Sequence, residues 1–158
     1  MRIILTPSTV TDIGNEAFYN CTSLKEVELH DGLQTIGESA FNNCTSLLRI
    51  KILSSVTDIG VRAFRRCRSL KEVKLHDGLR TIGHSAFKNC TSLLRIKIPS
   101  SVTDIGQYAF YKCTSLKVVE LHEGLRTIGE YAFCDCTSLL RINIPSTVTD
   151  IDNEAFHH

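Results

Sequence analysis

One spacing governs the whole chain. Cys21, Cys44, Cys67, Cys90, Cys113 and Cys136 fall at intervals of 23 residues without slippage. The Ala-Phe pairs keep the same step from Ala17-Phe18 to Ala155-Phe156 and take in all seven Phe. Gly14, Gly37, Gly60, Gly83, Gly106 and Gly129 follow it too, and Asp152 interrupts the series. A fixed period of this length marks a solenoid, in which a unit too small to bury its own apolar side is stabilised by stacking on copies of itself. A second period of 46 lies on the first. Residues 7–29 read PSTVTDIGNEAFYNCTSLKEVEL, residues 30–52 read HDGLQTIGESAFNNCTSLLRIKI, and the two kinds alternate to the end, as duplication of a two-coil unit would leave them.

Each unit has a physical reading. Residues 24–29 run apolar, polar, polar, apolar, polar, apolar, which puts Val27 and Leu29 on one face of a short strand. Copies stacked in register form a parallel sheet with strands about 4.8 Å apart. Asp31-Gly32, or Ser8-Thr9 in the other unit, makes a turn. Val10 and Ile13 then give a second extended segment ending at Gly14. Ala17, Phe18 and Cys21 stand at i, i+1 and i+4, a spacing that predicts one or two turns of helix dropping Phe18 into the interior. The expected class is therefore α/β, with a parallel sheet on one face and short second strands and helical turns on the others.

The run Ile98-Pro99-Ser100-Ser101-Val102-Thr103-Asp104-Ile105-Gly106, followed by Ala109-Phe110 and Cys113-Thr114-Ser115-Leu116, resembles the BspA-type leucine-rich repeats. The likeness recurs in every unit. It implies a right-handed solenoid of about six coils, with residues 1–158 as a single repeat domain incomplete at both ends. It also implies an extracellular or cell-surface setting and a role in adhesion or protein binding.

Six cysteines at one position of a stacked repeat point their side chains the same way, which opposes disulfide bonding even where the Cα separation of about 5 Å would permit it. Free, buried thiols acting as small apolar residues are expected. A zinc site needs four donors converging on one ion, whereas a ladder spreads them along a line. Cys134 lies off the ladder, beside Tyr111 and His157 by register. It reads as a surface substitution, with a reactive thiol as the less favoured alternative because no third orienting group is evident.

Three surface groups are candidate sites. On the outward strand face, Glu26, Arg49, Glu72 and Arg95 alternate in sign beside Glu28, Lys51, Lys74 and Lys97. Opposite charges on neighbouring strands support register, and this is the face that leucine-rich-repeat proteins present to partners. Arg62, Arg65, Arg66 and Arg68 make one coil basic, with Lys88 and Lys112 on the coils after it, a candidate polyanion patch. Tyr108, Tyr111 and Tyr131 form a candidate aromatic patch on the helical side rather than the strand face, where Tyr108 and Tyr131 are expected to stack. No aromatic shares the basic coil to stack bases, so nucleic acid is an unfavoured partner. His30, His76 and His122 recur every second coil, about 10 Å apart, too far to share a metal, and read as turn residues. The column Asp12, Thr35, Asp58, Thr81, Asp104, Thr127 and Asp150 pairs carboxylates with hydroxyls and offers no acid–base dyad. Asn20, Asn43 and Asn89 each head a formal N-glycosylation sequence that arises from the repeat consensus.

Composition narrows the function. Eighteen Lys and Arg against 17 Asp and Glu leave a net charge of +1, without the basic excess typical of a nucleic-acid binder. The apolar stretch at residues 3–5 is too short for a secretion signal, and no run reaches the length that spans a bilayer. No nucleophile–base set, metal quartet or phosphate loop assembles, so neither an enzyme nor a cofactor is expected. Open ends without polar caps point to a fragment of a longer array, or to end-to-end association. The leading expectation is a non-catalytic protein-interaction or adhesion module. The alternatives are a structural spacer of a larger surface protein and a glycan- or polyanion-binding module.

Overall fold

Each coil contributes two short strands, and the strands of successive coils pair into two parallel sheets. A computed structural model describes residues 1–4 and 9–158. The 23-residue step also sets Thr6 in the slot of Leu29; that position, Pro7 as the head of a unit and Ser8 as part of a turn lie outside the described residues. The first sheet has the order β1 (Arg2–Ile4), β3 (Glu26–Glu28), β5 (Arg49–Lys51), β7 (Glu72–Lys74), β9 (Arg95–Lys97) and β11 (Val118–Glu120). The second has β2 (Asp12–Ile13), β4 (Thr35–Ile36), β6 (Asp58–Ile59), β8 (Thr81–Ile82), β10 (Asp104–Ile105), β12 (Thr127–Ile128) and β13 (Asp150–Ile151) in the same progression. Residues 141–143 carry no strand, so the first sheet ends one coil before the second.

From β2 onward the pairing follows the sequence period, as in Asp58 with Thr81 and Arg49 with Glu72. The first strand departs from it. The 23-residue step would place Ile4 in the position of Val27, but Ile3 stands opposite Val27 and Arg2 opposite Glu26. That strand is offset by one residue.

The expected helical turns are absent: among the described residues there is no helix, and the chain is a parallel β-solenoid of about six turns. The Ala-Phe segment is a succession of tight turns. In the first coil Ala17 N–H donates to Gly14 C=O, Tyr19 to Glu16, Cys21 to Phe18 and Leu24 to Cys21. The intervening N–H groups leave the coil. Glu16, Phe18 and Asn20 donate to Glu38, Ala40 and Asn42 of the next coil at 2.8–2.9 Å. A helix would need those same donors for carbonyls four residues back. Turning them outward requires a left-handed residue twice per coil, and thirteen non-glycine residues, from Glu16 to Glu154, have φ between 52 and 63°. A residue of that hand interrupts an α-helix. The spacing, which buries Ala40, Phe41 and Cys44 in the next coil, therefore reports inward direction without helical backbone.

The two flanks of the solenoid bond in opposite senses. On the turn flank the backbone N–H groups that bond between coils point toward the following coil, as in Phe64 to Ala86. On the second-sheet flank, donors such as Gly60 point back, here to Ile36 of the coil before.

The interior is a set of columns. Phe41, Phe64, Phe87, Phe110 and Phe133 are fully buried. With Phe18 and Phe156 they form one stack, ring centroids 5.1–5.5 Å apart and nearly parallel. Burying one such ring stabilises the fold by about 1.5–3 kcal/mol. Alongside run the columns of Ala, Leu, Ile and Cys. The thiols are free, buried from Cys44 to Cys136 and half-buried at Cys21.

The 46-residue period also has a structural cause. Gly32, Gly78 and Gly124 of the His-Asp/Glu-Gly turns have φ of 111–119°, a region that favours glycine. A Cβ on Gly78 would lie 2.8 Å from the carbonyl oxygen of Ser54 in the preceding coil. On the other side Gly78 N–H donates to Ser101 Oγ at 3.1 Å, and that hydroxyl donates to Leu79 C=O at 2.7 Å. Gly124 repeats the arrangement with Thr147. Glycine turns and hydroxyl turns thus fit between one another.

Candidate binding surfaces

On the first sheet, the residues flanking each buried Val or Ile project outward. All eight of the expected partner-face residues lie on this exposed side, Glu26 half-buried and the other seven exposed. They line two neighbouring grooves of about 390 and 320 Å³. The first includes Arg2, Glu26, Glu28, Arg49, Lys51, Glu72 and Lys74, and the second adds Arg95, Lys97 and Glu120. Sign alternation yields ion pairs only in part. Arg49 meets Glu26 at 3.3 Å, and Arg2 meets Glu26 at 3.6 Å and also bonds Glu28. Glu72 instead pairs with Lys74 of its own strand, and Arg95 reaches Glu120 diagonally at 3.7 Å. These pairs are exposed, so each adds no more than about 1 kcal/mol.

The turn flank brings together two groups that lie far apart in sequence. Arg65, Lys88 and Tyr111 occupy one column, and Arg62 and Tyr108 the column three residues earlier. Lys88 Nζ lies 4.4 Å from the ring centroids of both Tyr108 and Tyr111. Lys112 Nζ lies 5.2 Å from Tyr111. Tyr108 stacks on Tyr131 at 4.9 Å, as the register predicts, and meets Tyr111 and His84 edge to face. The basic patch and the aromatic patch are therefore joined through Lys88, which the repeat places on the coil after the arginines and beside the tyrosines. The signal was present in the 23-residue step from Arg65 to Lys88 to Tyr111.

Charge accumulates there. Partial burial, then Arg65 and Lys112, hold the Lys88 ammonium below the usual lysine range. Burial, then Arg66 and Arg62, lower Arg65. Burial, then Arg62 and Lys88, lower His84. Arg62 reaches Glu38 at 3.7 Å and Lys112 reaches Asp135 at 4.0 Å. Among the described residues Arg65, Arg66, Arg68 and Lys88 form no ion pair, and Arg65 Nε is buried without a partner. Arg68 is exposed and is not among the charges acting on Lys88.

The remaining candidates are structural in their contacts. Cys134 is 4 % exposed, so it is not a surface substitution. Its carbonyl accepts from Lys112 N–H, and burial followed by Asp135 raises its thiol, opposite to what a reactive thiolate needs. The ring Nε2 of His30, His76 and His122 is buried without a partner, while His30 Nδ1 lies 2.7 Å from Asp31 O. In the Asp/Thr column, Asp58 accepts from Thr57 at 2.6 Å and Thr81 at 2.5 Å, which together lower its carboxyl. Asn43 donates its side-chain amide to Asn20 at 2.6 Å.

Comparisons with known proteins agree with this architecture. No curated protein matches the chain. Among solved structures it is similar to a leucine-rich repeat protein of Eubacterium ventriosum, with 28% identity over 99% of this chain and a TM-score of 0.91. It spans only 42% of that protein. A leucine rich repeat protein of T. pallidum has 33% identity over 95% of this chain and 72% of its own, with a TM-score of 0.90. A leucine rich cell surface protein of Faecalibacterium prausnitzii has 29% identity, covering 99% of this chain and half of its own, with a TM-score of 0.58. The family model of the BspA type leucine rich repeat region matches in six copies over residues 1–117 and 36–158. Repeat length, the Phe and Cys columns and the family match coincide along the chain, which belongs to the BspA-type leucine-rich repeat family.

Proposed function

We propose that this chain is a non-catalytic interaction module that engages a protein partner through the face of its first sheet, as part of a protein at the bacterial cell surface. The observation carrying this reading is the convergence of eight charged side chains from four adjacent strands on one exposed, grooved surface. Mixed charge at regular spacing confers partner choice through complementarity more than raw affinity. The surface setting is supported by the similarity to the leucine rich cell surface protein of Faecalibacterium prausnitzii.

The test uses the immobilised chain and extracts of extracellular matrix, with retained proteins quantified by mass spectrometry. Wild type is compared with the double variant Lys51→Glu, Lys97→Glu, and with a variant altered on the opposite flank. A partner retained by wild type, lost by the sheet variant and kept by the other is the expected result. Identical profiles for all three would overturn the sheet face as the binding surface and leave the spacer role in its place.

A further inference from the structure

The turn flank invites a separate reading, independent of any protein partner on the sheet. We propose that Arg65, Arg66, Lys88 and Lys112, with Tyr108 and Tyr111 as supports, form a binding site for a densely sulfated polysaccharide.

Three observations carry it. The four cations span three consecutive coils, a run of about 10 Å along the axis at about 4.8 Å per coil. That step is comparable to the length of one sugar ring, so a polymer with regularly placed charges can follow the column. Three of the four, Arg65, Arg66 and Lys88, have no carboxylate partner among the described residues, and burial, followed by repulsion from neighbouring cations, depresses Arg65 and Lys88. An anion laid across them relieves that repulsion, and guanidinium groups offer sulfate paired donors. The site is also held in place before any ligand arrives. The Lys88 ammonium rests 4.4 Å from two tyrosine rings set at 74° to each other, which restrains a side chain that otherwise swings freely. Moreover, Arg66, Tyr108 and Lys112 have left-handed backbone, with φ of 61, 56 and 57°. Asn, the better-suited residue, stands at the position of Arg66 and Lys112 in other coils, as Asn20, Asn43 and Asn89.

The same geometry disfavours single-stranded nucleic acid. Tyr108 is covered by Tyr131 on stacking and by Lys88 through its π-face, and Tyr111 is covered by Lys88. Those faces are therefore not free to stack a base.

The experiment measures binding of the full chain to dextran sulfate, to unsulfated dextran and to a single-stranded DNA oligonucleotide at matched ionic strength. Dextran sulfate is expected to bind and dextran not to. The exposed pair Arg66→Gln, Lys112→Gln is expected to weaken dextran sulfate binding about tenfold or more, the scale of losing charged contacts. Arg65→Met with Lys88→Met keeps apolar bulk and is expected to do the same, circular dichroism reporting that the fold persists. Arg68→Gln, set apart from Lys88, is expected to change affinity less than about twofold. No binding of dextran sulfate, or an equal loss in Arg68→Gln, overturns the site. Tighter binding of the oligonucleotide than of dextran sulfate overturns the ligand class.

Discussion

The thiol of Cys90 donates to the carbonyl oxygen of Phe64 at 3.1 Å, and that oxygen also accepts the N–H of Cys67. The same arrangement recurs from Cys44 to Cys136, so each sulfur ties its coil to the turn of the one before. The sequence spacing foretold inert buried thiols but not this bond, because a small apolar residue fills the same position without donating. Burial is the largest cause holding these groups protonated: Cys44 and Cys136 are pushed up to about 12, and Cys67, Cys90 and Cys113 lie well above their ordinary value. An unfolded cysteine loses its proton near pH 8.5. Stability from these thiols is thus complete below that pH and falls as pH rises through the interval up to their folded values, by about 1.4 kcal/mol per pH unit for each thiol. Urea unfolding midpoints measured from pH 7 to 11 should drop steeply on the alkaline side. Cys90→Ala should flatten that drop while costing about 1 kcal/mol at neutral pH through the lost contacts. An alkaline profile unchanged by the substitution would refute the assignment.

At the scale of the turn and strand, the glycine column depends on closeness. A Cβ on Gly83 would sit 2.8 Å from Gly60 C and Ile59 O, both main chain, whereas one on Gly14 would meet nothing within 4 Å. Gly83→Ala should therefore destabilise by about 1–3 kcal/mol, the range for overpacking, by forcing two coils apart. Gly14→Ala should leave the unfolding midpoint nearly unchanged. Equal effects of the two in chemical denaturation would contradict the packing account. Strand positions and their inward faces were legible from alternation alone, since Val27, Ile50, Val73, Ile96 and Val119 are all buried as the pattern requires. The backbone between Gly and Cys was not. Seven of its thirteen left-handed residues are Glu, Arg, Tyr or Lys, which carry no turn signal, so the Asn, Asp and Ser at the other six do not stand out as a recurring pattern. Helical spacing and a chain of turns place Ala40 and Phe41 inward alike, and only the destination of the intervening N–H groups separates them. The contact of Lys88 with Tyr108 and Tyr111 was hidden for a related reason: it exists across coils, where charge runs and aromatic counts taken along the chain do not look.

For the molecule as a whole, alternation of two coil kinds has an energetic consequence. Excising residues 31–76 removes one coil of each kind and joins His30 to Asp77, so every remaining glycine turn keeps hydroxyl-bearing neighbours. Excising residues 31–53 removes one coil and sets two hydroxyl turns side by side. If neighbour terms dominate, as in repeat proteins, the larger deletion should unfold at a denaturant concentration closer to that of the parent than the smaller one does. The reverse order would show that coil kind is immaterial. The opposed donor directions of the two flanks add a stricter condition. A coil presents donors on one flank and acceptors on the other to its successor, and the complementary arrangement to its predecessor. It has a front and a back, like a keyed connector. Transplanted coils can therefore be accepted only facing the same way, and a cut between any two exposes surfaces that fit each other but not themselves.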